Sequence, residues 1–310
     1  MEFFHKVTTY PFMHTRRMWY GVSSVAIIAS IVLLFWHGLN LGIDFTGGVV
    51  LEFRYPHAAD LEKTRATLEQ ARFAHPQVQN FGDDRTIAVR LLPQQNQDVN
   101  AVSKAVTEVL RKVDPSVELQ RAEVVGPQVG KELTNQGGLA ILFTFVLIGI
   151  YTWLRFQWKM GISAIIATLH DPIIILGFFA VTQITFDLAV LAAILAVIGY
   201  SLNDTVVVFD RVRENFHKTR RASSEDVMDA SVNQTLSRTI ITSGATLLVV
   251  VVLLIMGGET LRGFSWALTI GIVVGTYSSI YVAGALALDM KLSARDLMEQ
   301  KETSKVDAMP

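Results

Sequence analysis

The sequence contains no cysteine. Disulfides, thiol nucleophiles and cysteine metal sites are therefore excluded, while the redox compartment stays open. Charge is scarce as well: Asp, Glu, Lys and Arg make up 18% of the residues, against about 25% in an average soluble domain. The formal net charge is −1, so nothing in the balance of charge asks for nucleic acid as a partner. What fills the space is hydrophobic, at 51% of the chain with a mean hydropathy of +0.38. That composition points to lipid as the solvent.

A hydrocarbon core about 30 Å thick takes about 20 mostly apolar helical residues. Segments 18–36, 137–154, 161–182, 188–209, 239–256 and 265–288 meet that requirement. The first follows Arg16 and Arg17 in the manner of a signal peptide. Its apolar core is longer than the roughly 7–15 residues of a cleaved signal, and His37-Gly38-Leu39-Asn40 offers no small-x-small cleavage site. It reads as a retained anchor. Lys and Arg then set the orientation. If the N-terminus is cytoplasmic, so are Lys6, Arg16, Arg17, Arg155 and Lys159, six bases in 210–238, and Lys291, Arg295, Lys301 and Lys305. The short outer loops hold only Arg262. Both termini are thus expected in the cytoplasm. The expected division is a cytoplasmic 1–17, a first span over 18–37, an extracytoplasmic domain over 38–131, five further spans within 132–288 around a cytoplasmic loop 210–238, and a tail 289–310.

The inserted domain carries both signs of charge and no long apolar run. Residues 45–55 read as a strand, 58–74 as a helix, and 78–81 and 86–92 as strands. A helix led by an N-cap at Asp98 carries Val99, Val102, Val106, Val109 and Val113 as its apolar stripe, and 117–125 reads as a last strand. The order β-α-β-β-α-β fits a ferredoxin-like α+β unit. One face of such a sheet holds both helices, and the other must face solvent or a partner. The domain has no His/Asp/Glu cluster, nucleophile elbow or phosphate loop, and Gly47-Gly48 is too short for the last. It reads as a binding or mechanical module.

An ionisable residue at the centre of a span costs about 2.5–3.5 kcal/mol on insertion scales, so each is a functional candidate. The third span has His170, Asp171 and Pro172; the fourth has Asn203 and Asp204; Arg238 stands just before the fifth. Asp204 is read as a titrating group with Arg238 as a basic neighbour, or as the partner of Arg238 in a structural ion pair. His170 and Asp171 serve function or merely pack beside a break at Pro172. Ala192, Ala196, Gly199 and Asn203 share one face of the fourth span, and Gly271 and Gly275 repeat the spacing in the sixth. Small residues so placed let helices approach closely. Asp210, Arg211, Arg213 and Glu214 read as a solvated helix end. Ser224, Glu225 and Asp226 read as the cap of a short amphipathic helix on the inner membrane face.

Together these segments resemble the SecD/SecF family of bacterial protein-export membrane subunits, within the resistance-nodulation-division superfamily. The resemblance rests on Gly42-Ile43-Asp44-Phe45-Thr46-Gly47-Gly48, on Val125-Gly126-Pro127-Gln128-Val129-Gly130, and on Ile198 through Asp204 continuing into Asp210–Phe216. Arg238-Thr239-Ile240-Ile241-Thr242-Ser243-Gly244 and the His170-Asp171 pair add to it. Pro172 departs from the aliphatic residue that follows this pair in the family. The resemblance implies a bacterial inner-membrane protein, one half of a unit of two six-helix halves, completed by a SecD-like subunit and working with the SecYEG channel on exported, unfolded polypeptide. It implies protons as the coupling ion, with no other cofactor and no metal. Asp204 then carries the proton, Arg238 is its basic neighbour, and Asn203 hydrogen-bonds nearby.

In that reading the membrane interior favours the neutral acid at Asp204, and the guanidinium favours the carboxylate. Proton uptake from outside loosens the pair, the helices repack and the outer domain swings. Two rivals remain: a scaffold that docks its partners without conducting protons, and a small-molecule exporter, which needs a larger porter domain. A membrane-embedded hydrolase would need a nucleophile or a second ligand beside His170-Asp171, and none is present in the sequence. The chain is not read as an enzyme.

Overall fold

A computed structural model describes residues 8–73, 76–92, 99–219, 222–294 and 296–297, with the backbone alone at 99 and 100. In chain order, α1 (Arg16–His37) leads through α2 (Ile43–Thr46) into a head of β1 (Gly48–Arg54), α3 (Leu61–Gln70), β2 (Gln77–Phe81), β3 (Asp83–Leu91), α4 (Val99–Val113) and β4 (Glu118–Val125). The bundle follows: α5 (Pro127–Arg155), α6 (Trp158–Thr182), α7 (Leu188–Lys218), α8 (Ser224–Met256) and α9 (Gly258–Ser278). The last runs through a π-helical stretch, Ser279–Gly284, into α10 (Ala285–Asp289). Six of these helical rods are long and apolar enough to cross a membrane.

Lipid inverts the usual burial pattern. In α1 only Ser23 and Ser30 are buried, while Val25, Phe35 and Trp36 are exposed. Without a hydrophobic drive between helices, small residues mark the contact because they let backbones approach. Gly177 of α6 makes this one: a Cβ there would fall 2.1 Å from Ser30 Oγ. The stripe on α9 does the same for α7. A Cβ at Gly263, Gly271 or Gly275 would meet Val190 at 2.9 Å, Val197 at 2.3 Å or Ser201 at 2.9 Å. The equivalent stripe on α7 does not pack inside the chain. Ala192, Ala196, Gly199 and Asn203 are all exposed, and nothing lies within 4 Å of a Cβ built on Gly199. α7 uses its bulkier face, with Val190, Ile194, Val197 and Ile198, for the bundle core.

Charge misled the placement of helix ends. The expected loop 210–238 is helical to Lys218 and again from Ser224, because Val212 and Phe216 of α7 and Val227, Met228 and Val232 of α8 are buried in one core. Asn215 Nδ2 donates to Ser231 Oγ at 2.9 Å and to Gln234 Oε1 at 3.1 Å between the two rods. The anticipated surface helix is therefore the first part of α8. Its cap is Ser223, whose Oγ accepts from Asp226 N at 3.1 Å, and not Ser224. The chain start straps this end, with Tyr10 N donating to Asn233 Oδ1 and Met13 N to Asp229 Oδ1. Pro172 does not break α6, which is continuous from Trp158 to Thr182. Neighbouring helices enclose it completely enough to tolerate the lost backbone bond.

In the head, the sheet order is β2-β3-β1-β4, all antiparallel, with Leu51 opposite Val89 and Ala122. Val49, Leu51, Phe53, Ile87 and Val89 alternate onto one face and are buried with Leu68 of α3 and Val106 and Leu110 of α4. The other face carries Val50, Glu52, Ala88, Arg90, Arg121 and Glu123. It roofs a cavity of about 370 Å³ whose floor is the α6–α7 connection and the start of α9. Three boundaries differ from expectation. Residues 43–46 form a helical turn, not the start of the strand. α3 is shorter than 58–74 and is capped by Asp60, whose carboxylate accepts from Lys63 N at 3.0 Å. α5 begins at Pro127, inside the segment assigned to the head. The proposed cap at Asp98 lies outside the described residues.

The head is fastened where the glycine motif lies. Gly42 N donates to Phe186 O at 2.7 Å and Phe186 N to Asn40 O at 2.8 Å, so the segment after α1 pairs with the α6–α7 connection. Gly47 and Gly48 have φ of +69° and +129°, and a Cβ at Gly130 of α5 would fall 2.7 Å from Gly47 N. Only glycine permits that conformation and that approach. Arg90 reaches from β3 to Asn40 Oδ1, Leu41 O and Thr46 Oγ1. Asp44 accepts from Leu188 N at 3.0 Å, and Asp187 from Val190 N at 2.8 Å, so two carboxylates cap the start of α7.

Candidate functional site

Polar side chains inside the bundle converge at the contact of α6, α7, α8 and α9. Asp204 of α7 is buried, and its nearest hydrogen-bonding group is Ser243 Oγ of α8 at 3.5 Å, the outer limit for such a bond. Ser243 also pairs with Thr276 Oγ1 of α9 at 2.9 Å and receives the Tyr200 hydroxyl at 3.4 Å. Asp204 and Arg238 form no ion pair among the described residues, and Arg238 is exposed near the start of the apolar part of α8. Arg238 precedes Ser243 by five residues, a rise of about 7.5 Å along the helix. No locked salt bridge therefore fixes the charge state of Asp204.

A second cluster surrounds Asp171 of α6, which is fully buried. His170 Nδ1 lies 2.9 Å from its Oδ1, and Ser201 Oγ of α7 and Ser278 Oγ of α9 donate to its Oδ2 at 2.5 and 3.0 Å. One turn further along α7, Thr205 Oγ1 meets Ser279 Oγ at 3.0 Å, and Ser279 also bonds Gly275 O and Ser201 O. Ser279 opens the π-helical stretch, a distortion frequent at functional sites.

Of the residues singled out from sequence, Asp204, His170 and Asp171 fall in this buried polar seam. Asn203 does not. As the neighbour of Asp204 it points about 100° around the helix, onto the exposed small-residue face. Ser201, Ser243, Thr276, Ser278 and Ser279 were not anticipated. The available signal was their spacing: Ser201 with Thr205, and Gly275 with Ser278 and Ser279, are one turn apart in apolar spans. Among the described residues no group of three His, Asp or Glu is arranged to hold a metal.

Towards the far side from the head, fixed pairs replace this open arrangement. Arg155 of α5 donates to both oxygens of Asp210 at 2.6 and 2.7 Å, Lys159 reaches Asp296 at 2.8 Å, and Arg16 joins Asp289 at 3.2 Å and Glu225 at 3.3 Å. The solvated helix end foreseen at Asp210–Glu214 is present at Arg211 and Glu214, which pair at 2.9 Å, while Asp210 is taken up by α5. On the head side, burial and then the nearby Asp44 carboxylate push the Asp187 carboxyl above its usual range, against the pull of the Val190 N–H.

Comparison with known proteins decides the family. The profile for protein export membrane protein SecD/SecF, C-terminal, matches residues 105–293, and that for the SecD/SecF GG motif matches residues 32–55. The chain belongs to the SecD/SecF family. Relatives named protein translocase subunit SecF match nearly its whole length. The one from Vibrio alginolyticus is 47% identical over 97% of each chain, and that from Pseudomonas aeruginosa is 44% identical over 98% of this chain and 99% of its own. Among solved structures, SecDF of Thermus thermophilus, a translocon-associated membrane protein, matches with a TM-score of 0.83 and 34% identity. The match covers 92% of this chain but 39% of that one, so this SecD/SecF member corresponds to a minor part of the longer protein. The glycine motif that fastens head to bundle is thus a family feature.

Proposed function

We propose that the chain is the SecF-type subunit of a bacterial Sec protein-export machinery, embedded in the inner membrane with both termini in the cytoplasm. It works with a SecD-like subunit and the SecYEG channel on unfolded polypeptide. The basic side chains gathered opposite the head support the orientation. The exposed small-residue face of α7 supports a second helical subunit, since such a face packs helices and is unused within the chain. The strand order and the two helices on one face of the sheet support a ferredoxin-like head.

Its action is the coupling of proton flow to movement of the head. The observation that carries this is Asp204, buried among apolar helices with one long hydroxyl contact and no ion pair among the described residues. Proton uptake removes its charge, and the Ser243–Thr276–Tyr200 cluster then re-forms without it. Arg238, exposed one to two turns away, favours the charged form when a helix shift brings it closer. One charge crossing 100 mV supplies about 2.3 kcal/mol, enough to bias a two-state packing. The head receives the motion through the start of α7, which Asp44 caps from the glycine motif. The test is proton-driven export by Asp204→Asn in an assembled complex. Loss is expected. Full activity would leave a scaffold that docks its partners without conducting protons.

A further inference from the structure

The relay reading leaves unused the most enclosed carboxylate in the bundle. Asp171 has no exposed area, and side chains from three helices lie within hydrogen-bond distance of it. His170 Nδ1 takes one oxygen, and Ser201 of α7 and Ser278 of α9 share the other. Gly275 makes room for this: a Cβ there would fall 2.9 Å from Ser201 Cβ and 3.5 Å from Asp171 Oδ2. The other imidazole nitrogen, His170 Nε2, is buried and has no hydrogen-bond partner among the described residues. The pair therefore has an unused position where a proton can be gained or lost.

We propose that His170 and Asp171 form a second proton-exchanging site, whose protonation sets how tightly α7 and α9 are tied to α6. A proton added at Nε2 gives an imidazolium. The Nδ1 proton then passes to Asp171 Oδ1, which leaves a neutral imidazole and a neutral acid, with one net positive charge added to the pair. Hydrogen bonds to an ionised acceptor are roughly twice as strong as neutral ones. Once Asp171 is neutral, both serine bonds weaken. Ser278 has a second partner, Gly275 O at 3.2 Å in its own helix, so it is the one that lets go. The change is a loosening of α9 against α6, beside the π-helical stretch.

The ionisable groups facing the pair are few. Tyr277 of α9 lies with its ring 6.1 Å from that of His170, and α7 brings Asp204 one turn from Ser201. From α1 comes Tyr20, one turn before Ser23, whose hydroxyl bonds that of Tyr277 at 2.7 Å, and the π-helical stretch packed on α6 brings Tyr281, its ring 5.6 Å from that of Tyr277. The ionisable groups of α5 (Lys131, Glu132, Tyr151 and Arg155) stand towards its ends, and α10 brings Asp289, which Arg16 holds.

This inference rests on the chain being proton-coupled, and the experiment separates the two. The complex with its SecD-like partner is purified and reconstituted, and infrared difference spectra between acid and neutral pH are recorded alongside proton-driven export. The wild type is expected to give, beside the band of Asp204, a second protonated-carboxyl signal that vanishes in Asp171→Asn and persists in Asp204→Asn. Ser278→Ala, which leaves the acid in place, is expected to move the pH midpoint of that signal. His170→Gln is expected to slow export at least tenfold. A spectrum unchanged by Asp171→Asn overturns the proposal, as does a midpoint unmoved by Ser278→Ala in folded protein. Loss of export in Asp204→Asn alone, with Asp171→Asn fully active, overturns this site and leaves the Asp204 relay standing.

Discussion

The crossing of α7 and α9 offers a quantitative test of the bundle. In Gly271→Ala, the new methyl would lie 2.3, 2.7 and 3.0 Å from Cγ2, Cγ1 and Cβ of Val197. Carbon atoms pack at about 3.5–4.0 Å, so the helices must part by about 1 Å. Val197 cannot step aside, since it is 1% exposed and β-branched. Overpacking of this kind costs about 1–3 kcal/mol. Two turns on, a displacement of α9 by that amount would stretch the Ser278–Asp171 bond from 3.0 Å to a length that no longer counts as one. The control is Gly199→Ala, where a Cβ meets nothing. In the isolated chain it should be neutral or stabilising by up to about 1 kcal/mol, as alanine is the better helix former. In the assembled complex it should weaken association. Chemical denaturation in detergent reads the first two effects. Cross-linking through cysteine pairs introduced across α7 and α9 reads the parting, with no native thiol to confuse it. Wild-type stability in Gly271→Ala, or equal damage from both substitutions in the isolated chain, would refute the packing argument.

Further expectations concern the joints. Arg90→Lys removes a forked donor that bridges Asn40, Leu41 and Thr46. Bonds to a charged group are worth about 1.5–3 kcal/mol when buried, so amide exchange over 40–47 should accelerate while α7 exchange does not. Asp187→Asn keeps an oxygen for the Val190 cap but cannot ionise. Burial in the folded state raises this carboxyl above its ordinary value. Its stabilising contribution is thus complete below that value and is lost as pH rises through the raised one. Thermal unfolding across mildly acidic pH should show a shallower decline in the variant than in the parent. Ser223→Ala deletes the cap of α8; a loss of about 1 kcal/mol is expected, measured by denaturation.

Apolar length made the six membrane rods legible, and alternation made the sheet legible, because lipid thickness and strand period leave few choices. Helix ends were not. Arg211, Arg213 and Glu214 mark the exit of α7 from lipid, yet the helix continues because Val212 and Phe216 are buried with α8. A charge signals water, not the end of a helix. The candidate acids were visible because each carries a large cost in hydrocarbon. Their partners were not, because Ser201 and Ser278 cost little alone and gain meaning only from a third helix. Asn203 stands apart for the opposite reason: adjacency in sequence places it on another face from Asp204.

The unbroken course of α8 has a consequence for signalling across the bilayer. At 1.5 Å per residue its 33 residues span about 50 Å, well beyond a hydrocarbon core of about 30 Å. One end passes through Gly257 to Glu259, which lies in the cavity floor below the sheet, close to Gly82 at the β2–β3 turn. The opposite end holds the strap from Tyr10 and Met13. A 10° tilt about its midpoint displaces each tip by about 4 Å, in opposite directions. A rod of this kind lets an event on one side of the lipid be felt on the other as leverage, with Ser243 close to the fulcrum.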